Sequence, residues 1–375
     1  MEDNKQNNNL IFFSRYYLFL IFCISSIIYF NLFAYDTGFT YEPIKGWINP
    51  VNIHDHYIYL WYIENIETTG DLISLSGLNN NFGISLIYYG INSALQLIGI
   101  SANYEMLSLV INLIVLLFAL KAYSSIIAKL GLNSVWTLTF FIMSPLLYFA
   151  QLINKDSFTI LIILLAIDYS ISQHWKRFYL ITILSVLIRF QLPALLMLYL
   201  FFIKGKKHHV IRFILVYVFL SVINGILAKY QIDFFNESTL SDGMSYIVYS
   251  LNRNYYIGSL LLNPIRAIQY VYDALISFDF IDGSVIDVGR MKNIPQVVFL
   301  MLLSPFILNA ILNYRLYMGK KEKYLLAMIV AFFGIWLFNP TINLRYFILF
   351  FPVLQILGIC MYINFRKNGY DNGQI

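Results

Sequence analysis

The run FYLITILSVLIRFQLPALLMLYLFFI, from Phe178 to Ile203, decides how this chain is read. It is long enough to cross a bilayer once, since about 20 apolar residues cover the hydrocarbon core. Yet Arg189 stands near its middle, and Pro193 follows in Arg189-Phe-Gln-Leu-Pro193. A charged side chain at that depth is costly unless it has a partner or water. Irregular backbone is tolerated in a membrane where it lines protein or a water-filled cavity. The run is therefore expected to be two short half-crossings broken at Arg189.

Working outward, that break changes which side every later segment occupies. A hydropathy count that takes each apolar run as one span, Phe82–Ile100 included, puts Lys121, Lys129, Lys176 and Arg177 on the outer side, against the positive-inside tendency. Phe82–Ile100 holds Gly83, Gly90 and Gly99 with Ser85, Asn92, Ser93 and Gln96, a poor lipid-facing surface. Treating it as a re-entrant or interfacial helix, and breaking the second run at Arg189, gathers the basic clusters on one face. Lys5, Arg15, Lys121, Lys129, Lys176, Arg177, Lys204, Lys206, Lys207, Arg212, Arg315, Lys320, Lys321, Lys323, Arg366 and Lys367 become cytoplasmic, 16 of the 25 basic residues. Only Glu2, Asp3, Asp168, Glu322 and Asp371 join them, so the inner face carries +11 and the outer face −6.

Composition agrees with a membrane solvent. Of 375 residues, 59% are hydrophobic and 12% charged, with a mean hydropathy of +0.67. A soluble domain carries about 25% charged residues. The first apolar run, Leu10–Ala34, lacks a small-residue cleavage site and reads as a retained span. Cys23 and Cys360 lie inside apolar runs and point to neither a disulfide framework nor a metal site. The expected fold is all-α: one integral membrane domain over residues 1–375, a polytopic bundle of about ten spans or half-spans. Two long outer segments interrupt it. Residues 35–100 form the first periplasmic loop with its re-entrant or interfacial helix, and residues 228–295 form the larger second one. The latter holds turn signals at Asp242-Gly243 and Asp282-Gly283, and an amphipathic stretch, Pro264–Leu275, suited to a membrane surface.

The outer boundary collects the residues able to do chemistry. Asp36 closes the first span, and His54-Asp55-His56-Tyr57 follows it. In an extended segment, alternation would send both histidines to one face, away from Asp55, and no further His or Cys lies nearby to complete a zinc site. Asn154-Lys155-Asp156 lies between two apolar runs, and Asn339-Pro-Thr-Ile-Asn-Leu-Arg345-Tyr346 precedes the last span. Each has a plainer reading. Asp55 is also a solvated loop carboxylate, Lys155 a snorkelling span end, Asp156 a helix N-cap and Arg345 an interface anchor. Arg189 resists such a reading because of its depth. Lys155, Arg189 and Arg345, with Arg253 or Arg266 from the second loop, are the expected cationic pocket for a substrate phosphate, since guanidinium and ammonium groups suit its oxygens, and Asp156 and Tyr346 are expected substrate-binding residues beside it. Asp55 or Asp36 is then positioned to take a proton from a hydroxyl nucleophile.

An outer loop with Asp55-His-Tyr57, then Asn80-Asn-Phe-Gly83 and a broken apolar stretch, begins a familiar order. Lys155-Asp156, Arg189 before a proline, a long outer loop, Arg345-Tyr346 and a last span containing Pro352 complete it. This order resembles the Wzy-type O-antigen and capsular polysaccharide polymerases and, more distantly, the GT-C glycosyltransferases. The resemblance implies a multi-pass protein of the bacterial inner membrane with both termini cytoplasmic. It implies polymerisation of undecaprenyl-diphosphate-linked oligosaccharide repeats at the periplasmic face, catalysis by Asp55 or Asp36, and outer-face cations on the lipid phosphate. The partners implied are undecaprenyl-phosphate- or diphosphate-linked glycans, membrane lipids and a chain-length regulator, with no nucleic acid. No cofactor is implied, and a divalent metal stays open. The chain has no Arg-x10-Gly pair and no WWD-like or DxD signature. A transferase adding one sugar from a polyprenyl-phosphate donor, and a transporter or flippase, are the rival readings. A flippase should show two similar halves with charges through the midplane.

Overall fold

A computed structural model describes residues 2–31, 53–70, 72, 80–143, 145–205, 209–230, 243–283, 285–317, 320–336 and 344–371. Nearly all of the described chain is helix. In order come α1 (Glu2–Tyr29), α2 (Ile53–Thr69), α3 (Phe82–Leu97), α4 (Tyr104–Lys129), a 3₁₀ segment (Ser134–Ile142), α5 (Asp156–Ile171), α6 (Trp175–Leu184) and α7 (Gln191–Lys204). Then follow α8 (His209–Tyr230), α9 (Gly243–Tyr255), α10 (Gly258–Ile276), α11 (Ile294–Leu312), α12 (Lys323–Trp336) and α13 (Leu344–Asp371). A small hairpin, β1 (Ile281–Asp282) with β2 (Val285–Ile286), realises the Asp282-Gly283 turn signal, and Gly283 supplies the positive φ of +60°.

Among the described residues, three helical stretches are long and apolar enough to cross a membrane by length and composition: Tyr104–Lys129, Ile294–Leu312 and Ile348–Arg366. Ser14–Tyr29, Gln191–Lys204, His209–Ile223 and Lys323–Gly334 are shorter apolar helices. The core forms where α4 packs along α5, α11 along α13 and α7 along α12. The outside is apolar too. Helix α10 buries Ser259 and Asn263 but exposes Leu261, Ile265, Ile268, Tyr272 and Leu275 at helical spacing. Polar-in and apolar-out is the arrangement expected of a helix bathed in lipid rather than water. The amphipathic stretch of the second loop is thus a helix, but it begins at Gly258 and carries Pro264 in its interior. It also packs on α8, where the Tyr217 hydroxyl donates to the carbonyls of Ser259 (3.1 Å) and Leu260 (2.6 Å).

Between α6 and α7 the chain breaks. A 3₁₀ turn, Ser185–Leu187, ends α6, and α7 starts again at Gln191. Pro193 falls in the first turn of α7 rather than in the break, where its missing N–H removes no helical bond. The two arms fold back on each other. The Lys204 ammonium at the end of α7 donates to the Tyr179 hydroxyl (3.4 Å) and lies 5.6 Å from the Trp175 ring centre at the start of α6. Arg189 is therefore at the tip of a helical hairpin, and Lys176, Arg177 and Lys204 share its base.

The same base collects other basic residues. Lys129 pairs with Asp168 (2.7 Å), and Lys321 donates to the Lys129 carbonyl (2.6 Å). Arg15 reaches Ser124, one helical turn before Lys129 (2.5 Å). Asn364 of α13 meets Glu322 (3.4 Å) at this end as well. Asp156, at the opposite end of α5, is about 18 Å from Asp168 at 1.5 Å per residue.

Candidate functional site

The site is built around a non-helical segment, residues 150–155, whose backbone is satisfied by side chains. From α4, Asn112 donates to the carbonyls of Ala150 (3.2 Å) and Leu152 (2.9 Å), and Ser108 donates to that of Gln151 (3.2 Å). From α2, His56 Nδ1 accepts the Ile153 N–H (3.2 Å). Within the segment, Asn154 donates to the Leu152 carbonyl (2.8 Å), while its Oδ1 accepts the N–H groups of Asp156 (3.0 Å) and Ser157 (3.3 Å). Asn154 thus closes the start of α5. The N-cap role considered for Asp156 belongs to Asn154, two residues earlier.

This frees the Asp156 carboxylate for another task. It is fully buried and accepts from Nη2 of Arg189, which is itself 6% exposed. Arg189 Nε donates to the Thr159 hydroxyl, one turn further along α5 (3.1 Å). Nη1 makes no hydrogen bond among the described residues. The neighbouring Lys155 turns the other way. Its ammonium donates to Asn81 Oδ1 (2.7 Å) and the Asn80 carbonyl (3.3 Å), and it lies 5.7 Å from the centre of the Tyr59 ring.

Asn80 ties this group to the hairpin tip. Its Oδ1 accepts the Phe190 N–H (3.0 Å) and its Nδ2 donates to Gln191 Oε1 (3.2 Å). Close approach is possible here because residue 83 is glycine. A Cβ at Gly83 would stand 2.2 Å from the Leu187 carbonyl oxygen. The first turn of α3 therefore rests directly on the break between α6 and α7.

Of the residues expected from sequence, Lys155, Asp156 and Arg189 come together. Asp55 lies in the first turn of α2, half-buried and adjacent to His56, so the same helix that clamps Ile153 carries it. The segment around it is helical, not extended, because His56, Tyr59, Ile63 and Ile66 form one buried stripe at helical spacing. That geometry turns His56 into the core toward Ile153. Among the described residues no three His, Cys, Asp or Glu side chains gather to hold a metal ion. Asp36 lies outside the described residues, as do Asn339 to Asn343. Arg253 sits on α9, whose main packing partners are α8 and α10. Arg266 is on α10, and Arg345 and Tyr346 are in the first turn of α13; their side chains lie outside the description. Since Asn364 of α13 is at the basic end, the backbone of Arg345 is about 28 Å away, toward the Arg189 end.

Sequence reasoning gave no site role to Asn81, Tyr59, Thr159 or Gln191, and it weighed His56 as a metal ligand rather than as a backbone acceptor. Each is a single polar or aromatic residue whose role exists only through contacts distant in sequence. The pair Asn80-Asn81 ahead of an apolar run was the one local signal, a helix-start signature. Chemically, the arrangement offers a guanidinium and an ammonium from separate elements in polar, largely buried surroundings, and α2, whose His56 holds Ile153, carries the Asp55 carboxylate. No protein-family model, curated protein or solved structure matches the chain.

Proposed function

We propose that the chain is a membrane-embedded glycosyltransferase of GT-C-like architecture, with about ten spans or half-spans. In this reading it polymerises undecaprenyl-diphosphate-linked oligosaccharide repeats at the periplasmic face of the bacterial inner membrane. One observation carries the reading. Lys155 and Arg189 are both tied to a broken helical hairpin, Arg189 at its tip and Lys155 through Asn80, at the end of the bundle opposite the Lys129 and Lys321 cluster. A lipid diphosphate leaving group needs cations that do not belong to bulk water, and a buried corner strengthens them. Arg189 is held by Asp156 and Thr159 through Nη2 and Nε, which leaves Nη1 as its donor for a substrate oxygen. The acceptor hydroxyl attacks the anomeric carbon of the donor sugar, and its proton passes to Asp55. The sugar–oxygen bond to the diphosphate breaks, and the lipid diphosphate leaves with the electron pair against Lys155 and Arg189.

The test is Asp55→Asn and Arg189→Ala in cells making long-chain polysaccharide, with membrane abundance measured alongside. Both variants are expected to insert and to abolish the long chains. Normal chain lengths on a gel from both would overturn the site. Supplying purified protein with a polyprenyl-diphosphate oligosaccharide or a polyprenyl-monophosphate sugar separates polymerase from single-sugar transferase by which donor is consumed.

A further inference from the structure

We infer that His56 is a proton-sensitive positioning residue for the Lys155–Arg189 site. The inference concerns that site's geometry, and only its activity arm rests on the glycosyltransferase reading. His56 is fully buried, and its Nδ1 faces a backbone N–H, that of Ile153 at 3.2 Å. An atom that accepts a hydrogen bond carries no proton, so the imidazole is neutral with its proton on Nε2. Nε2 in turn faces Glu105 Oε1 at 3.7 Å.

Protonation reverses the first contact. In the imidazolium both nitrogens are donors, and Nδ1–H would then point at the Ile153 N–H. That bond is lost, while the Glu105 carboxylate on the other side attracts the charged ring. Histidine is the side chain whose charge ordinarily changes between pH 5 and 8. Ile153 is two residues from Lys155, and the intervening Asn154 holds the start of α5. The loss is therefore transmitted to the cation and to the helix that carries Asp156. Among the titratable or charged groups on the elements meeting at His56 are Glu105 on α4, Lys155 and Asp156 after Ile153, Tyr88 on α3, and Asp55, Tyr57 and Tyr59 on α2. Of these, Glu105 is in ion-pair range of the ring. The neighbouring anchors of the segment, Asn112 and Ser108, do not titrate, so the response is confined to the α2 side.

Amide hydrogen exchange of residues 150–157 in the purified full chain, at pH 8 and pH 5, tests this. His56→Asn keeps a side-chain acceptor and removes the titration, and comparing it with wild type cancels the intrinsic pH dependence of exchange. From pH 8 to pH 5, wild type should lose about five- to tenfold in protection at Ile153 relative to His56→Asn, the loss of one hydrogen bond. Residues 108–116 on α4 should not follow. Equal pH responses in the two proteins overturn the inference. If His56→Asn does not fold, ¹⁵N-histidine spectra of a chain with the other four histidines replaced decide the matter. Protonation on Nε2 alone at pH 8 supports it, and protonation on Nδ1 overturns it. In the activity arm, wild-type polymerisation should fall toward pH 5 more steeply than that of His56→Asn. Failure of all polymerisation with the exchange result intact would remove the proposed reaction and leave the latch.

Discussion

Helix α5 carries an ion pair at each end, and the two are built on different principles. At its C-terminal end, Asp168, with its side chain 12% exposed, meets Lys129, whose side chain is 32% exposed. Lys321 reaches this end too, on the Lys129 carbonyl, and the pair opens to solvent on its lysine side. At its N-terminal end, Asp156 is completely buried and the Arg189 side chain is 7% exposed. The first pair compensates charge at a crowded basic surface. The second is a commitment: neither partner can be removed without leaving a charge in a poor solvent. Chemistry that needs a fixed cation is better served by the second, because the ordering is done before any ligand arrives.

The largest expected effect follows from that contrast. Arg189→Ala strands the Asp156 carboxylate, and breaking a buried pair this way costs about 3–5 kcal/mol. Denaturant unfolding in a fixed detergent would measure it. Asp156→Asn combined with Arg189→Gln should recover most of the stability, because no charge is then left unpaired, yet it should not recover the proposed transferase activity. A loss below about 1 kcal/mol for Arg189→Ala would put both pairs in the same class, that of exposed surface pairs, and break the comparison.

Next in size is a change that moves the hairpin tip without touching a charge. Gly83→Ala drives a Cβ into the Leu187 carbonyl, a backbone atom that cannot rotate away. Overpacking of this kind costs about 1–3 kcal/mol. Gly90→Ala on the same helix meets nothing within 4 Å, so it should stabilise by up to about 1 kcal/mol through helix propensity. Opposite signs from two glycines seven residues apart would sharpen the claim that α3 buttresses the Arg189 end. Equal signs would remove it.

The two ends differed in how far sequence could reveal them. The basic end was readable because the bilayer imposes a one-dimensional rule: Lys and Arg near span ends sort by side, and Lys129, Lys204 and Lys321 do meet there. The break at Arg189 was readable for a related reason, since an arginine among apolar residues demands a partner. Which partner was not readable. Asp156 is 33 residues away, and nothing local distinguishes a carboxylate that caps its own helix from one that reaches an arginine on the next hairpin. The helix α2 was obscured because its buried stripe begins with His56 and Tyr59, polar or amphipathic residues that do not mark a period as Leu or Ile do. The clamp on residues 150–155 depends on Asn112, Ser108 and His56, each contributing one bond across long sequence separation, and such contacts leave no pattern in a single chain.

The smallest expected effect tests the other side of the comparison. Lys129→Ala removes the partner of Asp168, but the pair is open to solvent on the lysine side and other cations surround the base of the bundle. Exposed pairs contribute about 0–1 kcal/mol, and with the Asp168 side chain only 12% exposed the loss should reach or slightly exceed that margin while staying below that of Arg189→Ala. Added salt should shrink the difference further, because screening acts within about 10 Å at 0.1 M. Salt should leave the Arg189→Ala deficit nearly unchanged, since ions do not enter a buried contact. A Lys129→Ala loss as large as that of Arg189→Ala and insensitive to salt would mean that Asp168 is also a buried commitment. The basic end would then need the same structural explanation as the tip of the hairpin.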